Sequence, residues 1–256
     1  MNIKLVLKLI LAMAAAGWGA GCAIKSDEAA PGHAPLPAVP AADAPPALSE
    51  QVAQALAVPP APFVGEGWQS LFDGQHLGNW REINYAGRGE VRVESGCLLL
   101  DMGSPFTGVR WTNSFPTDGY EIAFDAMRTL GSDFFCGLTV PVGNSHCTFI
   151  VGGWGGGLVG LSNLDGYDAS ENETTQFMNF DTGRWYRIRL RVTTERLEAW
   201  IDQDKLVSVT RADRDFSLRP GDIELSTPLG ISAWQTGAAL REIRWRSVTA
   251  PDSTRK

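Results

Sequence analysis

Histidine is scarce in this chain, three residues in 256, and cysteine nearly so, with four. His33 falls in a solvated Pro/Ala tract and His76 in a turn, which leaves His146 as the one histidine with a catalytic prospect. Clustered basic residues are missing too: 22 Lys and Arg face 29 Asp and Glu, for a formal charge of −7, and they form no phosphate-binding stripe. Nucleic acid is therefore not expected as a partner, and neutral ligands suit the mildly acidic balance better. The EF-hand spacing of calcium loops is also lacking.

What the N-terminus does carry is an apolar run, Leu5 to Ala16, flanked by Lys4 and Lys8 and followed by Gly19-Ala20-Gly21-Cys22. It is too short to anchor the chain across a bilayer. Residues 1–22 read as a bacterial lipoprotein signal peptide, with Cys22 as the lipidated first residue and the membrane reached through acyl chains. Gly19 stands where such signals usually carry Leu, so secretion after a nearby cleavage is the alternative. Localisation is expected at the cell envelope in the first case. Residues 23–62, mostly Ala and Pro, bury too little to offset ordering entropy and read as a disordered tether. Within it Leu48 to Val58 can form a short helix capped by Ser49, with Val52 and Leu56 on one side, stopped by Pro59 and Pro60. Residues 250–256 read as a disordered tail.

Residues 63–249 carry strand patterns. Tyr186, Ile188, Leu190 and Val192 alternate with Arg187, Arg189 and Arg191, while Leu197, Ala199 and Ile201 alternate with Glu198, Trp200 and Asp202. Two antiparallel strands around Thr193-Thr194-Glu195 are expected, one face core and the other polar. The arginines either line a sugar-binding face with Trp200 or, as favoured, make Arg/Glu pairs and a cation–π contact in solvent. From Gly131 to Val140 neither face is plainly polar, so a central strand covered on both sides is expected, with Asp133 at its start, either as a base or as a turn-ordering group. If the two flanking strands pair, His146 is expected at the same end of the sheet as Asp133. A tight turn at Val142-Gly143-Asn144 pairs Cys136 with about residue 150 or 151, not Cys147, so Cys97, Cys136 and Cys147 are expected as buried free thiols.

The glycine-rich run Val151 to Gly160 gives Trp154 room to present its ring face to a sugar, or else encloses it as an internal plug. Behind it come Asp165, Asp168, Glu171, Asn172 and Glu173, whose amides and carboxylates can bind hydroxyls or hold calcium or another divalent cation.

The opening stretch Gly65 to Trp80, GEGWQSLFDGQHLGNW, sets Trp68, Leu71, Phe72, Leu77 and Trp80 around an Asp73-Gly74 turn. It is followed in order by Val91-Arg-Val-Glu-Ser-Gly-Cys97, Gly108-Val-Arg-Trp-Thr112, Gly119-Tyr-Glu-Ile-Ala-Phe124, Arg184-Trp-Tyr186 and Leu197-Glu-Ala-Trp-Ile201. This series resembles the 3-keto-disaccharide hydrolase domain family. The resemblance implies an all-β, concanavalin A-like jelly roll of two antiparallel sheets, and cleavage of a 3-keto-sugar glycoside by C2 proton abstraction, elimination and hydration. Carried onto this chain, it implies Asp133 or Glu171 as base and His146, Asn172 and Gln235 orienting oxygens. Trp154, Trp234 and Trp111 would contact the sugar, with a divalent metal as a possible aid. The family's His-Gly step is replaced by Thr236-Gly237-Ala238, and its Tyr-Glu-x-Gln strand has no counterpart in Cys147 to Val151. A non-catalytic carbohydrate-binding or adhesion module is the alternative. Ordinary glycosidase action ranks third, because the Glu-x-Asp-x-x-Glu strand is missing.

Overall fold

Period-two burial organises the chain. In a computed structural model, which describes residues 48–248, the first elements are a helix α1 (Glu50–Leu56) and strands β1 (Gln69–Ser70), β2 (Trp80–Glu82), β3 (Val91–Glu94), β4 (Cys97–Leu100) and β5 (Phe106–Trp111). Next come β6 (Tyr120–Gly131), β7 (Cys136–Val142), β8 (Ser145–Gly153), β9 (Leu158–Ser162) and β10 (Gln176–Phe177). The last are β11 (Trp185–Val192), β12 (Arg196–Ile201), β13 (Asp204–Thr210), β14 (Gly230–Trp234) and β15 (Thr236–Ser247), with a 3₁₀ turn at Asp222–Ser226 before β14. Cys22 and the signal peptide, His33 and the 250–256 tail lie outside the described residues.

All strand pairs are antiparallel, and they make the expected two-sheet jelly roll. One sheet runs β13-β12-β11-β6-β15-β4-β3, with β1 also paired to β15; the other runs β10-β9-β8-β7-β14-β5-β2. Tyr186, Ile188, Leu190 and Val192 are buried, as are Leu197, Ala199 and Ile201, and Val192 pairs with Leu197 across the Thr193–Glu195 turn, as the alternation predicts. These side chains meet Phe135, Leu138, Phe149, Val151 and Ile231 of the other sheet in one core. Each fully buried Val, Leu, Ile or Phe among them contributes ~1.5–3 kcal/mol of hydrophobic stabilisation.

The arginine face of the first sheet makes the expected Arg/Glu pairs and cation–π contact, but not in open solvent: its arginines are half-buried and Glu121 is fully buried. Arg189 lies 3.9 Å from the Trp200 ring centre, and Arg189 and Arg191 both bond Glu121. A two-residue turn at Gly143-Asn144 joins β7 to β8, which pairs Cys136 with Val151 and keeps it from Cys147. Cys97, Cys136 and Cys147 are buried and unbridged. The opening signature is mostly turn and irregular chain, with three residues in strands, Gln69 and Ser70 of β1 and Trp80 of β2. Asp73 accepts the Gln75 and His76 amides at 2.8 and 2.7 Å, and Trp80, wholly buried, donates from its indole to the Leu71 carbonyl at 3.0 Å. The His76 and Gln75 amides pull the Asp73 carboxyl down to about 2.

The expected tether fails at its C-terminal end. Ser49 caps α1 by accepting the Val52 amide, and the buried Val52 and Ala55 sit on Cys97, Leu99, Met127 and Ala239. Backbone carbonyls of Ala55 and Ala61 then receive Trp185 and Arg187, at 2.8 and 2.7 Å. Composition hid this because the segment's own apolar surface is small; the sheet supplies the rest.

Candidate functional site

Glycine and hydroxyl residues occupy the outer face of the seven-stranded sheet where its strands pair. Ser232 stands opposite both Gly108 and Gly137, Thr139 opposite Thr148, and Thr148 opposite Ser162. Gly108 is required here: a Cβ would come 2.3 Å from the Ser232 hydroxyl. The chain between β13 and β14 crosses this face, and Tyr85 fastens it by bonding Ser226 at 2.7 Å and Ser232 at 3.0 Å. Burial raises the Tyr85 pKa, so its phenol stays protonated.

Toward one end of the face the cover parts over a cavity of about 560 Å³, a volume suited to a small ligand. Phe106, Phe134, Ile150 and Trp234 give it apolar walls; Thr148, Ser162, Asp133, Asp222 and Arg219 give it polar groups; Trp154 stands at its rim. Trp154 occupies the tight turn between β8 and β9 at a positive φ of 49° and keeps 45% of its surface exposed, the arrangement of a platform and not of a plug. Asp133 is fixed by two amides, Phe134 N on one oxygen at 2.7 Å and Gly155 N on the other at 3.1 Å. Arg219 donates to Asp168 at 2.6 Å, and Asp168 also accepts the Ser162 hydroxyl and the Ala169 amide. Asp222, exposed at the start of the 3₁₀ turn, makes no ion pair among the described residues.

Residues 67–249 match the 3-keto-alpha-glucoside-1,2-lyase-like domain. The chain belongs to this family. No curated protein matches it. Among solved structures, carbohydrate-binding module CBM66 from Bacillus subtilis is 13% identical with a TM-score of 0.45, covering 66% of this chain and 96% of its own. Domain 4 of AbnA, an extracellular arabinanase from Geobacillus stearothermophilus solved with arabinotriose, is 13% identical with a TM-score of 0.47, covering 72% and 93%.

In this lyase-like domain the cavity gathers Asp133, Trp154 and Trp234, and it leaves the other expected site residues elsewhere. His146 pairs with Pro141, five residue steps or roughly 16 Å along β7 from its Cys136 end, so it lies at the opposite end from Asp133. Burial lowers its pKa. Asn172 spends its amide on the carbonyls of Leu161, Tyr167 and Asp168 and its oxygen on Thr174, which makes it the organiser of the loop after β9. Glu171 is exposed on that loop, outside the cavity lining. Gln235 is exposed in the link between β14 and β15, at φ 44°, its backbone N–H donating to Pro105 O. Trp111 is core, 5.4 Å from Trp80.

The calcium reading also meets a misfit. Arg214 holds Asp165 and Glu173 at 2.6 and 2.8 Å, and no group of three or more His, Cys, Asp or Glu side chains is placed to hold a metal among the described residues. Asp222 and Arg219 escaped the sequence reading; the Arg219-Pro220-Gly221-Asp222 turn signal marks a loop, but nothing local tells that it crosses this sheet.

Proposed function

We propose that the cavity binds a 3-keto-sugar glycoside and cleaves it by elimination. The reading rests on one observation, two carboxylates and an exposed indole around a sugar-sized cavity in a member of this lyase-like family. The apolar face of the pyranose stacks on Trp154, and Asp133, held by its two amides, accepts a ring hydroxyl. Asp222 takes the C2 proton, which the C3 ketone acidifies. The C–H electron pair passes into the enolate, whose oxygen is met by donors such as Arg219 and the Thr148 hydroxyl. Collapse of the enolate breaks the C1–O bond, the departing alkoxide takes the proton back from Asp222, and water adds across C1=C2.

Purified full-length protein and a 3-keto-glucoside with a chromogenic aglycone test this. Aglycone release that Asp222→Asn abolishes supports the proposal; undiminished release in Asp222→Asn and Asp133→Asn overturns it. The second reading, sugar binding without turnover, is favoured by the setting of Asp222, which is exposed and has no side-chain partner among the described residues to fix it over C2. Saturable binding of a glycoside with no release would establish it.

We also propose that Cys22 carries the lipid that holds this domain at the cell envelope. A palmitate analogue should label the wild type and spare Cys22→Ala; equal labelling of both removes the anchor.

A further inference from the structure

Arg128 is a buried cation without a carboxylate. It stands on β6 in step with Ile122, Phe124 and Ala126, so its side chain enters the space between the sheets, where Phe135 lies 5.3 Å from its guanidinium carbon. Buried guanidinium groups ordinarily face an acid, but Arg128 makes no ion pair among the described residues. It donates instead to three carbonyls, Phe180 O at 3.2 Å, Asp133 O at 3.2 Å and Gly156 O at 2.9 Å. Its Nε is buried with no hydrogen-bond partner in the structure. Desolvation lowers its pKa, with Tyr186 and Asp133 opposing.

Those carbonyls come from three separate segments. One is the β6–β7 link bearing Asp133, one the β8–β9 turn bearing Trp154, and one the approach to β11. The glycine run leaves room for this: a Cβ on Gly152 would lie 2.8 Å from Arg128 Nη2, and one on Gly156 would lie 3.4 Å from it. The bond from Gly155 N to the Asp133 carboxylate ties the same two segments a second time.

We infer that Arg128 is a positioning residue, which clamps the Trp154 turn to the Asp133 loop and so fixes the distance between the sugar platform and the carboxylate. The inference rests on the carbohydrate reading of the cavity. A lysine keeps the charge, but its single nitrogen cannot span three segments as the planar fork does. In full-length Arg128→Lys, backbone amides of 153–157 should exchange faster while those of the β11–β12 hairpin keep their protection. Binding of a methyl glycoside should weaken roughly tenfold in the wild-type background and less than about twofold when Trp154→Ala is already present, since a residue acting through Trp154 has little left to disturb.

Equal weakening in both backgrounds, or exchange raised uniformly over the domain, would overturn the inference. Should Arg128→Lys fail to fold, Gly152→Ala pushes a methyl group against the guanidinium, and it must reproduce the local exchange pattern. If the wild type binds no sugar, the cavity reading itself falls, and exchange at 153–157 alone decides whether Arg128 holds the turn.

Discussion

Trp234 meets Phe106 edge to face, with 4.6 Å between ring centres and 89° between planes. Phe106 in turn stacks on Tyr85 at 4.8 Å, so this indole belongs to the wall of the cavity. Trp154 makes no aromatic pair among the described residues and stands at the rim. The two tryptophans should therefore fail differently. Trp154→Ala is expected to lose about tenfold in glycoside affinity with Tm within about 2 °C of wild type. Trp234→Ala is expected to cost about 2–4 kcal/mol of stability as well. Calorimetric titration and thermal melts separate the two; equal losses of Tm would refute the division of roles.

Charge at the cavity gives a second expectation. Its lining holds Asp133, Asp222 and Arg219, and the arginine is already met by Asp168. A uronic acid would bring its carboxylate against this uncompensated negative charge. Methyl glucuronide should bind roughly tenfold more weakly than methyl glucoside at neutral pH, and Asp222→Asn should narrow the gap. Competition titrations at two salt concentrations check it, and a preference for the uronate would contradict the electrostatics.

Strand alternation made most of the fold legible, because a half-buried strand writes its two faces into every second residue. The β11–β12 hairpin follows from it, and the Cys136–Val151 register from the tight turn at Gly143-Asn144. The same rule places Trp111 inward with Val109 and Arg110 outward, so the mistaken sugar role for Trp111 arose from weighing residue type above position. His146 went to the wrong end because a residue just past a two-residue turn lies far from the start of the preceding strand. Asn172 was misread since an amide that satisfies loop carbonyls has the same composition signal as one that binds hydroxyls. Asp222 reaches the cavity by a crossing between sheets, which no local pattern encodes.

Glu121 anchors the arginine face. It is fully buried and accepts Arg246 at 2.8 Å, Arg189 at 3.0 Å and Arg191 at 3.2 Å. Burial alone would raise its pKa, but the three guanidinium groups outweigh burial and hold it below its ordinary 4.5. A folded value below the unfolded one means that the stabilisation is present above pH ~4.5 and drains away as pH falls through the folded value. Glu121→Gln should cost about 1–3 kcal/mol at pH 7, by taking the buried countercharge from three half-buried guanidinium groups. It should also flatten the acid limb of stability in urea unfolding from pH ~6 to ~3. A variant that keeps the wild-type acid limb would show that the protonation which destabilises the fold lies elsewhere.

Helix α1 covers the Cys97 thiol, with Val52 wholly buried at the contact. Burial pushes that thiol up to about 11, against an ordinary 9.0. Thiolate is the reactive form, so Cys97 should label slowly at pH ~8 while the helix stays docked, through its raised pKa and through blocked access. Val52→Asp puts a charge where only apolar atoms can receive it and should free the helix. Peptide mapping after alkylation should then find Cys97 modified while Cys136 and Cys147, both wholly buried in the main core, stay protected. If all three thiols react together, α1 is part of one cooperative unit with the sandwich; if Cys97 already reacts rapidly in the wild type, the helix does not stay docked in solution.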